Sequence, residues 1–192
     1  MKLIYFHGFG SSAASGTIQT LRMNLPDFEV IAPDIPVDPA EALPFLKDLC
    51  SKEQPSVIVG TSMGGMYAQQ MFGFNRICVN PAFFMSKESK VLKVGTFEFF
   101  KPRFDGQKSF VITEEIMQNY AEMEAHQFDN YHPSHQDKVW GLFGEQDTLA
   151  HFEPLFLKYY VNSFHFPGGH TPTAEEVRTW YVPLIKKIVT VI

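Results

Sequence analysis

Six short apolar runs alternate along the chain with longer segments that carry helical spacing of apolar residues. The runs contain few polar residues, so they lack the alternation of a half-buried strand and are typical of strands covered on both faces. They are Leu3–Phe6, Val30–Ala32, Val57–Val59, Ile77–Val79, Val139–Phe143 and Phe164–Phe166. The pattern predicts an α/β fold in which one mostly parallel sheet of about six strands has helices on both faces.

The segments between the runs contain start and stop signals for helices. Asp38-Pro39 has the N-cap acid and first-position proline of a helix start. Pro44 interrupts that segment, so we expect a short turn and then a helix from about Pro44 to Lys52. The last two helices are expected over about 153–160 and 174–189. The element order is then βαβαβαβ, an interruption, and βαβα.

The interruption covers residues 81–136 and is rich in phenylalanine. Thr113 can cap a helix that opens with Glu114 and Glu115. An insertion of this length in a compact fold is typically structured or functional, as a lid is. Its aromatic side chains either line an acyl pocket or attach the lid to the sheet, and the pocket candidates are Phe83, Phe84, Phe99 and Phe100. We expect residues 1–192 to form a single domain that includes this lid.

The strongest chemical signal is the segment from Val57 to Gly65, where a buried strand runs into Gly60-Thr61-Ser62-Met63-Gly64. A Gly-x-Ser-x-Gly pattern between a strand and a helix predicts a tight turn that exposes a nucleophilic serine. The glycines leave room where backbone segments approach closely. Ser62 would then lie at a helix N-terminus, where the dipole favours developing negative charge.

A serine nucleophile needs a general base and an acid that orients the base. His170 follows the last predicted strand and the turn Pro167-Gly168-Gly169, so we expect it at the carboxyl edge of the sheet. Asp147 follows the preceding strand, and the order serine, aspartate, histidine is that of the α/β-hydrolases. Glu145, in the same loop, is an alternative to Asp147.

The oxyanion of an acyl-transfer reaction is held by backbone amides. One predicted donor is the amide of Met63, directly after the nucleophile. The other is the amide of Phe9 in the glycine-rich loop His7-Gly8-Phe9-Gly10 after the first strand. His7 is interpreted as a structural side chain beneath this loop.

Taken together, these motifs resemble the YqiA-like family of small bacterial α/β-hydrolase esterases. The matching segments are Tyr5-Phe6-His7-Gly8-Phe9, Ala32-Pro33-Asp34-Ile35-Pro36, Gly60 to Ala68, Val79-Asn80-Pro81-Ala82, Gly144 to Leu149 and Gly168-Gly169-His170. The resemblance implies a reduced α/β-hydrolase fold that lacks the usual first two strands, and esterase activity on acyl esters or acyl-CoA thioesters. The acid loop departs from the shorter Gly-Asp-Glu that the family leads us to expect, which keeps Glu145 open as the acid.

Composition narrows the possible partners. The 192-residue chain has a net charge of -5, so it offers no general nucleic-acid footprint. No run is long enough for a signal peptide or a membrane span, and Cys50 and Cys78 are too few for a disulfide scaffold. We therefore expect a cytoplasmic protein with neither nucleic acid nor a membrane as a partner. Six basic residues against three acidic ones between Ser86 and Lys108 form either a guide for an anionic leaving group or a solvated face.

The predicted function is a serine hydrolase that cleaves a small-molecule ester or thioester through an acyl-enzyme. Its chemistry calls for no metal and no organic cofactor. An acyltransferase would use the same Ser62, His170 and Asp147 with a different acceptor. A binding protein on a hydrolase scaffold would carry no turnover at all. The sequence does not indicate an oligomeric state.

Overall fold

A computed structural model describes residues 1–87 and 92–190 of the protein, and these residues contain eight strands. The strands are β1 Lys2–Phe6, β2 Glu29–Ile31, β3 Val57–Thr61, β4 Arg76–Val79, β5 Gly95–Glu98, β6 Ser109–Ile112, β7 Val139–Gly144 and β8 Asn162–Phe166. Six of them form one sheet in the order β2-β1-β3-β4-β7-β8, and every neighbouring pair is parallel. These six are the predicted apolar runs, so the predicted parallel sheet is confirmed.

Helices cover both faces of this sheet. They are α1 Gly16–Asn24, α2 Pro39–Glu53, α3 Met63–Gln69, α4 Glu114–His126, α5 Glu153–Phe156, α6 Ala174–Glu176 and α7 Val182–Thr190, with a π turn, Val177–Tyr181, joining the last two. Successive residues of a strand point to opposite faces. Leu3 and Tyr5 therefore share one core with α1 and α7, whereas Ile4 and Phe6 share the other with α2 and α3. Within the described ranges, no helix is long and apolar enough to cross a membrane.

Helix α2 begins earlier than its proline content suggests. The expected start near Pro44 is wrong, because the helix already begins at Pro39, where the Asp38 carboxylate accepts a hydrogen bond from the Ala40 amide at 2.8 Å. Pro44 removes one backbone donor from the second turn. Burial of Ala42, Leu46 and Cys50 against the sheet outweighs that loss. By contrast, α5 is shorter than expected and ends at Phe156.

The insertion packs on the sheet through a hairpin and a helix. Strands β5 and β6 pair antiparallel, and α4 follows the predicted cap, in which the Thr113 hydroxyl accepts from the Ile116 amide at 3.2 Å. Phe110, Ile112 and Tyr120 belong to the same core cluster as the sheet residue Ile4. The insertion therefore has no separate hydrophobic core among the described residues.

Both cysteines are free thiols buried inside the fold. Cys50 lies on α2 and Cys78 on β4, and neither side chain reaches solvent. Burial raises the pKa of each thiol to about 12. They act as small core residues, as their apolar surroundings indicated.

Candidate active site

Ser62 occupies a tight turn between β3 and α3. Its backbone has φ 58° and ψ -119°, a conformation that a residue with a side chain rarely adopts. A Cβ atom on Gly60 would collide with the Gly64 carbonyl, and one on Gly64 would collide with the Phe6 carbonyl. Both positions therefore require glycine, and the turn presents the serine hydroxyl at the N-terminus of α3.

A continuous hydrogen-bonded chain links Ser62, His170 and Asp147. The His170 Nε2 atom lies 2.9 Å from Ser62 Oγ, and Nδ1 lies 2.8 Å from Asp147 Oδ2. With the proton on Nδ1, the imidazole donates to the carboxylate and can accept from the serine hydroxyl. The structure thus brings together the three side chains that the sequence analysis singled out.

Asp147, rather than Glu145, contacts the imidazole. Glu145 is exposed, whereas Asp147 is buried and also accepts from the Leu149 and Ala150 amides at 2.7 and 3.1 Å. Burial raises the pKa of the Asp147 carboxyl, but the hydrogen bonds from His170 and the two amides outweigh it and hold that pKa below its usual value. The carboxylate is therefore ionised at neutral pH.

The glycine-rich loop after β1 passes directly beside the serine. A Cβ atom on Gly8 would lie 3.5 Å from Ser62 Cβ. In the part of the chain that the structure describes, neither the Phe9 amide nor the Met63 amide has a hydrogen-bond acceptor. Two unpaired donors next to a nucleophile are the arrangement that an oxyanion requires.

His7 and Asp34 hold this loop in place. His7 Nε2 accepts from the Ile35 amide at 3.0 Å, and its Nδ1 donates to the Gly8 carbonyl at 2.8 Å. Burial lowers the pKa of His7 to about 4, so the ring is neutral and structural. The Asp34 carboxylate accepts from the Ala13 amide and from the Phe104 amide of the insertion, each at 2.7 Å. Sequence analysis gave Asp34 no role, because its partner Phe104 lies 70 positions away.

A small apolar cavity adjoins the two unpaired amides. It is lined mainly by Phe9, Ile35, Pro36, Val37, Met63, Phe99, Phe110 and Tyr120. Of the four aromatic residues proposed for a pocket, Phe99 is part of this lining. Phe83 is fully buried between Phe128 and Phe152, Phe84 packs on Phe152, and Phe100 is 76% exposed.

The structure shows the surroundings of most of the basic residues between Ser86 and Lys108. Lys90 and Glu88 lie outside the described residues. Arg103 pairs with Asp105 at 3.0 Å, and Lys87 lies over the Phe84 ring at 4.4 Å. Lys93, Lys101 and Lys108 are exposed.

Asn80 is a further buried polar residue at this edge of the sheet. It follows β4 directly, and its side chain is hydrogen-bonded to the backbone of the loops that carry Asp147 and His170. Its sequence signals were its position immediately after an apolar strand and its place in the family segment Val79-Asn80-Pro81-Ala82. Across residues 1–87 and 92–190, no group of three or more His, Cys, Asp or Glu side chains is arranged to hold a metal ion.

The model of a family described as the uncharacterised protein family UPF0227 matches residues 2–159. This match includes Ser62 and Asp147 and ends before His170. It covers most of the chain and agrees with the resemblance drawn from the motifs.

Solved structures share the architecture at low sequence identity. A monoacylglycerol lipase from Paleococcus ferrophilus has a TM-score of 0.68 and 14% identity, over 98% of this chain and 94% of its own. Est1E from Butyrivibrio proteoclasticus has a TM-score of 0.63 and 16% identity, over 98% and 84%. A thioesterase domain from the curacin biosynthetic pathway has a TM-score of 0.60 and 14% identity, over 98% and 90%. The likeness confirms the predicted α/β-hydrolase fold.

Proposed function

Because the chain belongs to the UPF0227 family, which is the YqiA-like family, and carries this site, we propose that it is a serine hydrolase of carboxylic esters or thioesters. The observation that carries the proposal is the hydrogen-bonded chain from Ser62 Oγ through His170 to Asp147, at 2.9 and 2.8 Å. The fold alone would not decide the function, since one scaffold hosts many activities.

In the proposed reaction, Ser62 Oγ attacks the substrate carbonyl while His170 Nε2 takes its proton. The Asp147 carboxylate holds the imidazole in the required tautomer and stabilises the imidazolium that forms. The carbonyl π electrons move to oxygen, and the tetrahedral intermediate collapses as His170 returns the proton to the leaving alcohol or thiol. Water, activated by the same histidine, then releases the acid from Ser62.

The amides of Phe9 and Met63 are the proposed oxyanion donors. They are unpaired among the described residues, and the Met63 amide is the first of α3, where the helix dipole adds to the stabilisation. The adjoining cavity is the proposed acyl site, and its volume of about 10 Å³ favours a short acyl group. Its aromatic lining by Phe99, Phe110 and Tyr120 favours an apolar acyl group.

Hydrolysis is favoured over the two other functions considered above. A binding protein would have no use for the strained backbone of Ser62, which costs about 1–3 kcal/mol. An acyltransferase would need a second site for its acceptor, and the cavity beside Phe9 and Met63 has a volume of only about 10 Å³. Hydrolysis and transfer can be separated by measuring the acid released from a p-nitrophenyl ester with and without added alcohols. Hydrolysis releases the acid in both cases, whereas transfer to the alcohol reduces the amount of acid. We further propose that the protein acts in the cytoplasm on a small-molecule substrate.

The first prediction tests the nucleophile. A fluorophosphonate probe should label the protein covalently, and Ser62→Ala should abolish both labelling and ester turnover, because no other hydroxyl among the described residues is paired with His170. Ser51→Ala, at an exposed serine of α2, is the matched control and should be labelled like the parent protein. A folded parent protein that neither reacts with the probe nor turns over esters would overturn the proposed function.

A further inference from the structure

Asn80 is held in an unusual and fully buried turn at the end of β4. Its φ of 41° lies in the left-handed region, and none of its surface reaches solvent. Asparagine tolerates this region better than most residues. The turn directs its side-chain amide across the carboxyl edge of the sheet.

Both polar atoms of the Asn80 side-chain amide are hydrogen-bonded to the two neighbouring loops. Its Oδ1 accepts from the Gly144 amide at 2.7 Å, where the loop that carries Asp147 begins. Its Nδ2 donates to the Gly169 carbonyl at 2.9 Å and to the His170 carbonyl at 3.3 Å. One side chain is therefore hydrogen-bonded to the backbone of both the loop that carries Asp147 and the loop that carries His170.

The backbone around Asn80 also holds the serine turn. The Ser62 amide donates to the Val79 carbonyl at 2.9 Å, and the Ala82 amide donates to the Ser62 carbonyl at 3.1 Å. The segment Val79–Ala82 thus contacts Ser62 through its backbone, while the Asn80 side chain contacts the other two loops. The turn at Asn80 therefore contacts the backbone of all three loops that carry Ser62, His170 and Asp147.

We infer that Asn80 is a positioning residue that sets the distances between Ser62, His170 and Asp147. This inference rests on the proposed hydrolase function, and it identifies a residue that acts through the other three rather than on the substrate. Only a side chain with one acceptor and one donor on the same carbon satisfies both loops, since a carboxylate lacks the donor and an apolar side chain lacks both.

Asn80→Gly removes the side chain while keeping a residue that adopts positive φ. We expect kcat for a p-nitrophenyl ester to fall by about 10²-fold with KM near the parent value, because small misplacements of reacting groups cost that much. Gln54→Gly is the matched control: Gln54 also has positive φ, at 47°, but caps α2 away from the site, so its kcat should match the parent's. Thermal unfolding of both variants, with assays well below their midpoints, separates lost positioning from lost folding.

Asn80→Asp keeps the volume and the acceptor but loses the donor to Gly169 and His170. We expect kcat to fall where the introduced carboxyl is ionised, because it then faces the Gly169 and His170 carbonyl oxygens with no proton to donate. In proton NMR, the low-field resonance of the His170 Nδ1 proton should broaden or disappear in both Asn80 variants and persist in Gln54→Gly.

The outcomes separate the two proposals. If the parent protein is active and both Asn80 variants keep the parent's kcat and imidazole resonance, the positioning role is wrong and the hydrolase proposal stands. If the parent protein shows no ester turnover and no probe labelling, the hydrolase proposal fails. The resonance then still reports whether Asn80 orients the imidazole.

Discussion

The backbone of Ser62 is strained, and neighbouring residues hold it in that conformation. The conformation at φ 58° and ψ -119° costs about 1–3 kcal/mol for a residue with a side chain. The turn persists because Val79 and Ala82 bind its backbone and because Gly60 and Gly64 allow the close approach. Strain of this kind at a serine paired with a histidine is typical of preorganisation for nucleophilic attack.

The assignment of Asp147 as the acid that orients His170 can be tested by single substitutions. Asp147→Asn keeps the shape but can favour the wrong imidazole tautomer, a change that costs about 10⁴ in turnover in a serine protease. We therefore expect kcat to fall by orders of magnitude. Glu145→Gln is the matched control in the same loop, and it should leave kcat close to the parent value because Glu145 is exposed. If Glu145→Gln lost most of its kcat and Asp147→Asn kept it, Glu145 would be the acid.

Local sequence was sufficient to predict some of these residues and insufficient for others. Ser62 is marked by its flanking glycines, and His170 and Asp147 by their positions after apolar strands. Asn80 also follows an apolar strand, but that position does not reveal its role, because its partners Gly144 and Gly169 lie 64 and 89 positions away. Its role depends on which strands are neighbours, and the order of strands in the sheet cannot be deduced from apolar runs alone.

Among the elements, the hairpin β5–β6 determines the shape of the proposed acyl site. The Phe100 amide donates to the Gly10 carbonyl at 2.8 Å, and Arg103 donates to the Ile35 carbonyl at 3.1 Å, so the hairpin is bound to the loops around the cavity. Neither strand was predicted. β5 alternates between half-buried and exposed positions and β6 between exposed and buried ones, unlike the apolar runs of the main sheet.

If the cavity receives the acyl group, its size should control chain-length preference. Phe110, on β6, lines it and contacts the Phe9 and Phe99 rings at centroid distances of 5.3 and 4.6 Å. Phe110→Leu should raise kcat/KM for longer p-nitrophenyl esters relative to acetate by about tenfold, in the range of one or two methylenes in an apolar pocket.

Phe104→Leu is the control for the Phe110 variant. Phe104 lies in the loop that joins β5 to β6, but it is 77% exposed and does not line the cavity. Its chain-length profile should match the parent's. Equal profiles for all three proteins would place the acyl group elsewhere.

For the whole molecule, the parallel sheet explains why distant segments meet at one site. Strands β1, β3, β4, β7 and β8 all run in the same direction, so the loops at their carboxyl ends share one edge. That edge could be predicted from the order of strands and helices along the chain. The contacts that the insertion makes with this edge could not, since they depend on single side chains such as Asp34 and Tyr120.

Buried His7 should make the stability of the whole fold depend on pH. Its pKa in the folded state is about 4, below the ordinary histidine value of about 6.5, so the unfolded chain binds more protons between these values. The His7 contribution is fully present above pH 6.5 and is lost as pH falls toward 4. The shift corresponds to about 3 kcal/mol in the free energy of unfolding.

Urea unfolding at a series of pH values measures this dependence. His7→Gln should flatten the decline between pH 6.5 and 4, because glutamine has an acceptor for the Ile35 amide but does not titrate. Ser51→Ala, at an exposed residue that does not titrate, should keep the parent's slope. A parent-like slope in His7→Gln would show that the acid sensitivity has another source.

The two buried thiols make it simple to attach a single label to the insertion of this protein. With pKa values of about 12, Cys50 and Cys78 contain almost no thiolate at neutral pH, and no reagent reaches them in the folded state. A cysteine introduced at exposed Lys101 would therefore be the single reactive sulfur for a maleimide dye or a nitroxide. Fluorescence or spin-label spectroscopy could then track the hairpin in solution without first removing the native cysteines.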